Sequence, residues 1–334
     1  MANGKKFTYA ELSKETGISI ATISRVMNRS HLVTSETRRK VLSALSNCGV
    51  DISELEFEEE NEKLIVFNVP TLKNMFYSPI ISSARLAASR RGYNLLVNED
   101  PVSSESLHAF LRLLRSTKAS GLILANSITQ ERLESLSREI VTVTCCEAVP
   151  DSNVPYVTID DEGASYNAVR YLISLGRRGI AFINGPRSFK YAREREKGYL
   201  EALHESGFEA EHRYMAEVGE DMDFETARAI ATHMLNYPDR PDAFFCVSDI
   251  IACAVEKAAL QLSLRIPEDI AIVGFDDIMA SHMANPSITT VRQPTVQMGA
   301  LSTEMVIKLI EKDENSIKSV ILGTELVIRE STTV

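Results

Sequence analysis

No apolar run in this chain approaches the length of a membrane span, so no transmembrane helix is expected. The first residues, MANGKKF, are basic, but no apolar segment follows them. A secretory signal is therefore not expected, and the cytoplasm is the expected location. The five cysteines, Cys48, Cys145, Cys146, Cys246 and Cys253, lack paired metal-ligand spacing. Four of them stand in apolar runs, where a thiol behaves as a small hydrophobe, so neither disulfides nor zinc are expected. The histidines, at 31, 108, 204, 212, 233 and 282, make no metal spacing. Also missing are a phosphate-binding Gly-x-Gly-x-x-Gly after a strand, a Walker loop and a nucleophile elbow. An enzyme, a metal and a cofactor are accordingly not expected.

What is present is an ordinary soluble composition, 44% hydrophobic and 25% charged over 334 residues, enough for two or three domains. The net charge of −10 is unevenly spread. Residues 1–50 carry eight bases against three acids, which is +5 locally and leaves −15 for the remainder. A basic head on an acidic body suits a chain whose head meets phosphate while its body is held away.

The head's pattern is that of two short helices and a tight turn. Thr8 can cap the first, with Glu11 three residues on as in a capping box, and Gly17 ends it. Ser19 can cap the second. Ile18, Ile20, Ile23, Val26, Val41, Leu42 and Leu45 supply a small core. Ala21, Thr22, Ser24, Arg25 and Asn28 fall largely on another side, small and polar enough to enter a major groove and donate to base edges and phosphates. An ordinary surface hairpin would show much the same pattern.

The wording of this stretch narrows the choice. Ser19-Ile20-Ala21-Thr22-Ile23-Ser24-Arg25-Val26-Met27-Asn28 closely resembles the recognition helix of the lac-repressor (LacI/GalR) family, and Val33 through Leu45 resembles that family's third helix. The resemblance runs through most of the chain. It implies Thr8, Ser19, Ala21, Thr22, Ser24, Arg25 and Asn28 as DNA-facing residues, double-stranded operator DNA as partner, and a homodimer or a tetramer. One segment departs from the family. Residues 51–63, DISELEFEEENEK, hold seven acids between Asp51 and Glu62, where relatives carry a hinge helix that wedges a leucine into the minor groove. That departure keeps open a cytoplasmic small-molecule sensor with weakened or lost specific DNA binding.

From Leu64 on, short apolar runs alternate with amphipathic stretches. LIVFNV, GLILA, VTVTC and YVTID are followed by IAFING, AFFCV and IAIVGF. Two such series predict an α/β fold of two doubly wound parallel-sheet lobes behind a three-helix helix-turn-helix head. By resemblance the fold is periplasmic-binding-protein-like. The expected divisions are a head at 1–50, an acidic linker at 51–63 and an effector-binding and dimerisation domain at 64–334. Within it, one lobe takes about 64–161 and 294–320, the other about 162–293 and 321–334.

Open α/β sheets bind ligands outside the carboxyl ends of their strands. Asn74 and Tyr77 follow the first strand, and Tyr77 reads equally as core or as a platform for a ring; Phe76 reads as core. Arg195 matches the family's effector arginine, three residues before Gly198. Asp276 matches its effector aspartate, and Asp277 reads as structural. Ser248 stands where many relatives have asparagine, and Asp249 reads as a helix cap. Of Asp160 and Asp161, Asp160 is the cleft candidate. These choices imply a small-molecule effector bound between the lobes, sugar-like ahead of nucleoside-like; Ser248 and Met222 keep the nucleoside open.

Overall fold

The computed structural model describes residues 8–28, 35–47, 63–99, 102–103, 105–312 and 317–333. The acidic linker and its expected departure from a hinge helix lie outside these residues. The chain divides into two compact units, 1–62 and 63–334.

In the head, α1 (Tyr9–Thr16), α2 (Ile20–Asn28) and α3 (Ser35–Asn47) follow the sequence closely. The capping box is complete: the Glu11 N–H donates to Thr8 Oγ1, and the Thr8 N–H donates to Glu11 Oε2 at 2.8 Å. Gly17 takes a left-handed φ of 66°, which spares the steric cost a side chain would bring. Ser19 Oγ accepts the Thr22 N–H at 3.1 Å and so caps α2. Ile23, Val26, Val41 and Leu45 form the small core. Ile20 does not join it, being 50% exposed: it is the first residue of α2, a turn away from the buried Ile23 and on the side of the cap.

The second unit holds two sheets. The first lobe comprises β1 (Leu64–Asn68), α4 (Tyr77–Arg90), β2 (Asn94–Asn98), α5 (Leu107–Ser116), β3 (Gly121–Leu124), α6 (Gln130–Glu139), β4 (Val141–Cys145) and β5 (Tyr156–Ile159). The chain then crosses to α7 (Asp161–Ser174), β6 (Ile180–Asn184), α8 (Lys190–Glu205), β7 (Met215–Glu217), α9 (Phe224–Leu235), β8 (Ala243–Cys246), α10 (Asp249–Gln261), β9 (Ala271–Asp276), α11 (Met279–Met283) and β10 (Thr289–Arg292). It returns for α12 (Thr295–Ile310) and β11 (Val320–Leu322), and crosses a third time into β12 (Glu325–Val327). The sheet orders are β11-β5-β4-β3-β1-β2 and β12-β10-β9-β8-β6-β7. All pairings are parallel except β12 on β10, so the second sheet carries one antiparallel edge that the sequence pattern does not signal. The third crossing falls at Gly323-Thr324, which places all of β11 in the first lobe. No helix among the described residues is long and apolar enough to cross a membrane.

Two glycines set the close helix packing. A Cβ on Gly299 of α12 would collide with the Ile80 carbonyl and the Ser83 hydroxyl of α4. A Cβ on Gly198 of α8 would collide with the Glu162 carbonyl and the Tyr166 nitrogen of α7. The second contact matters for the site. It draws α8 onto the start of α7, so Ser165 Oγ can donate to the Arg195 carbonyl at 2.6 Å and Arg195 lies against Asp161. Beneath them Phe182 stacks between Tyr199 and Phe245, with centroids 5.0 and 5.2 Å away, and Tyr199 donates its hydroxyl to the Ile180 carbonyl.

Candidate functional site

The carboxyl ends of both sheets face one cleft. Its walls include Asn74, Phe76 and Tyr77 after β1, Cys146 and Glu147 after β4, Asp161 after β5, Tyr191 and Arg195 on α8, Ser248 after β8, and Asp276 at the end of β9. Gln293, Met222 and Met298 complete much of the rest. These side chains leave a cavity of only about 30 Å³ between them. The lobes are thus drawn nearly shut. Hydrogen bonds link them across the cleft, among them the Lys190 N–H to both Glu147 carboxylate oxygens at 3.2 Å, Lys190 Nζ to the Ile159 carbonyl at 3.1 Å, and Ser127 Oγ to the Ser188 carbonyl at 2.6 Å.

Arg195 sits at the centre, 5% exposed. Its Nε and Nη2 both donate to Asp161 Oδ1 at 2.8 Å, and its Nη1 donates to the Val247 carbonyl at 2.6 Å and stands 3.9 Å from Asp276 Oδ1. The guanidinium carbon lies 3.4 Å from the centroid of the Phe275 ring, a stacking that suits its planar, weakly hydrated charge. Asp161 Oδ2 accepts Lys190 Nζ at 2.8 Å, and Lys190 also reaches Glu194 at 2.6 Å. Asp276, Arg195, Asp161, Lys190 and Glu194 therefore form one alternating chain of charge through low-dielectric surroundings.

Burial pushes the Asp276 carboxyl up to about 7, against the lowering effects of Arg195 and of the Gln293 amide that donates to it at 2.7 Å; Asp161 adds a further push upward. Burial likewise pushes Glu147 up to about 8, against the backbone N–H and charge of Lys190. Both carboxyls hold their protons more tightly folded than unfolded. Their stabilising contribution is full below the ordinary carboxylate range and is lost as pH rises through 7 to 8. The melting temperature should accordingly fall between pH 6 and pH 8. In Asp276→Asn that fall should be smaller, which differential scanning fluorimetry at both pH values checks.

The structure places Asn74, Tyr77, Arg195, Ser248 and Asp276 in the cleft wall, as their positions after strands imply. Phe76, read as core, is buried and lines the cleft as well. Asp160 is a correction. It is exposed and caps α7 by accepting the Gly163 N–H at 2.9 Å, and the next residue, Asp161, points inward. The cap of α10 is Ser248 and not Asp249, and Ser248 lines the cleft as well. Ser248 caps α10 through the Ile251 N–H, whereas Asp249 is fully buried and accepts from Thr290 Oγ1 and the Ile278 N–H. Asp277 is structural, held by Arg292 and Arg329. Glu147 and Lys190 escape the sequence reading altogether, although Glu147 stands just past the apolar VTVTC strand, where an isolated acid is a signal.

In the head, Ala21 and Arg25 are exposed on α2, with Thr22 and Ser24 half-buried. The hydroxyls of Thr8 and Ser19 are already engaged, Thr8 with Glu11 and Ser19 with Thr22 at 2.7 Å. The Asn28 side chain lies outside what the structure describes.

Two doubly wound lobes around a polar cleft, in a chain that also holds an N-terminal helix-turn-helix unit, define a DNA-binding regulator that senses a small molecule. Comparisons with known proteins agree. A periplasmic binding protein-like domain matches residues 169–332. The chain is 31% identical over 329 residues to the HTH-type transcriptional regulator RegA of Clostridium saccharobutylicum, covering 96% of this chain and 98% of that protein. It is similar to the transcriptional regulator CelR in complex with cellobiose, at 27% identity and a TM-score of 0.73, over 98% and 100% of the two chains. It shares its fold with the lac repressor dimer bound to operator and an anti-inducer, at 24% identity and a TM-score of 0.79, over 99% and 100%. The chain belongs to the lac-repressor (LacI/GalR) family of transcriptional regulators.

Proposed function

We propose that the protein is a repressor that binds a roughly palindromic operator as a homodimer and is controlled by a neutral, polyhydroxylated effector, a sugar or sugar derivative, held in the cleft. A dimer offers two α2 helices to successive major grooves, about one helical turn apart. Thr22, Ser24 and Arg25, with Ala21 admitting close approach, are the readers; Thr8, Ser19 and Asn28 position the unit on phosphate.

The observation that carries the effector class is the charge balance of the cleft. Among the described residues that line it, the cation is Arg195, already held by Asp161, whereas the Asp276 and Glu147 carboxyls face the same space and can exchange hydrogen bonds with hydroxyls. With their carboxyls raised by burial, Asp276 and Glu147 can donate to ligand hydroxyls as well as accept from them, whereas an anionic ligand such as a sugar phosphate would find Arg195 already bound to Asp161. Phe76, Tyr77 and Met222 offer apolar surface for the carbon-hydrogen face of a ring. The CelR complex with cellobiose is a precedent within the fold.

A ligand that binds only the folded state stabilises it by about 2.7 kcal/mol at a hundredfold excess over its Kd. A thermal-shift series of neutral sugars, sugar phosphates and nucleosides should therefore show the largest rise with a neutral sugar. A rise confined to phosphorylated compounds or nucleosides would overturn the assignment.

A further inference from the structure

We propose that Cys145 and Cys146 form a dithiol site in the cleft wall that captures a trivalent arsenical. Cys145 ends β4 and is fully buried, as a small hydrophobe would be. Cys146 behaves differently. It is half-buried, lines the cleft and takes a φ of 70°, so the backbone turns there and brings its sulfur beside that of Cys145, at 3.8 Å.

That separation favours a bridging atom over a disulfide. Adjacent Cα atoms lie about 3.8 Å apart across a trans peptide. Disulfides ask for roughly 4.4–6.8 Å between Cα atoms, so closing an S–S bond here would distort the backbone. A soft centre with bonds to sulfur of about 2.3 Å, the zinc–sulfur length, can span two sulfurs up to about 4.6 Å apart and leaves the backbone where it is. Zinc itself wants four ligands, and among the described residues no group of three or more His, Cys, Asp or Glu side chains could hold a metal ion. A trivalent arsenical needs only two sulfurs, because its third valence is filled by carbon.

The reaction involves no redox change. In R–As(OH)₂, each arsenic hydroxyl leaves as water, carrying away one thiol proton, and two As–S bonds form while arsenic stays trivalent. The hydrogen bond from Cys145, burial, and the charges of Glu147 and Asp161 keep Cys146 protonated. The capture uses the thiols in that form and releases their protons in water. The adduct would lie next to Glu147, whose carboxylate makes the bond across the cleft to Lys190. The cleft would thereby respond to thiophilic arsenic as well as to its effector.

Phenylarsine oxide and intact-protein mass spectrometry on the full chain test this. The expected result is one phenylarsenic group in place of two thiol hydrogens, stripped by 2,3-dimercaptopropanol but not by an equal concentration of a monothiol. Cys146→Gly and Cys145→Ala should each lose the adduct, whereas the triple variant Cys48→Ser, Cys246→Ser, Cys253→Ser should keep it. Glycine accepts the positive φ at 146 without strain, so that variant should melt no lower than the parent. No uptake by the parent chain, uptake persisting in the well-folded Cys146→Gly, or removal by the monothiol would each overturn the proposal.

Discussion

Arg195→Ala is expected to destabilise the 63–334 unit by about 3–5 kcal/mol, the range for removing one partner of a buried ion pair. The arginine is 5% exposed. Its loss leaves Asp161 with Lys190, takes from Asp276 the cation 3.9 Å away and strips the Val247 carbonyl of its Arg195 donor. It also empties the space over Phe275. Arg195→Lys keeps the charge but not the planar fork, so it should recover part of the stability and little of the ligand affinity. Urea unfolding followed by circular dichroism, with calorimetry of ligand binding on the Lys variant, checks both. Unchanged ligand affinity in the Lys variant would remove Arg195 from the effector site.

The second large effect concerns the head. Arg25→Ala should weaken operator binding by about 1–3 kcal/mol, or roughly 5- to 150-fold. Arg25 is exposed on the face of α2 opposite the buried Ile23 and Val26, and its guanidinium can reach either a base edge or a phosphate. The two cases separate by salt. If Arg25 reads a base, sequence discrimination relaxes at one position. If it holds a phosphate, affinity falls uniformly and the slope of log affinity against log salt drops by about one. Effector affinity should be untouched in either case. Fluorescence anisotropy on a duplex selected from a random pool, at several salt concentrations, gives both quantities.

Much of this architecture is written in local pattern. The strands LIVFN, VTVTC and AFFC are apolar runs buried on both faces, and the gap between runs is filled by helices of the expected period. Elements lacking that contrast were not legible. α6 has only Leu133 and Leu136 buried, one short stripe. β10 opens with Thr289 and Thr290, buried polar residues whose place in a strand depends on Ser331, Thr332 and Asp249, distant in sequence.

The site residues show a sharper limit. Asp160-Asp161, Ser248-Asp249 and Asp276-Asp277 each put two polar residues at a strand end. Which of the two faces the cleft depends on where the next helix begins, and sequence pattern leaves that uncertain by a residue or more. The resemblance to relatives picks Asp276 from the third pair, and Asp276 lines the cleft. The resemblance does not settle the first, where capping by Asp160 turns Asp161 inward. Glu147 and Lys190 belong to no motif. Their roles come from two segments of different lobes meeting, which no local spacing encodes.

The most direct measurement is an operator titration, by anisotropy at fixed salt, with and without a saturating concentration of whichever neutral sugar raises the melting temperature most. Linkage requires the ligand to shift the midpoint by its differential affinity for the DNA-bound and free states. The midpoint should move by about 5- to 150-fold in the parent chain and stay fixed in Arg195→Lys. Superimposable curves with and without ligand, from protein known to be ligand-saturated, would contradict the account.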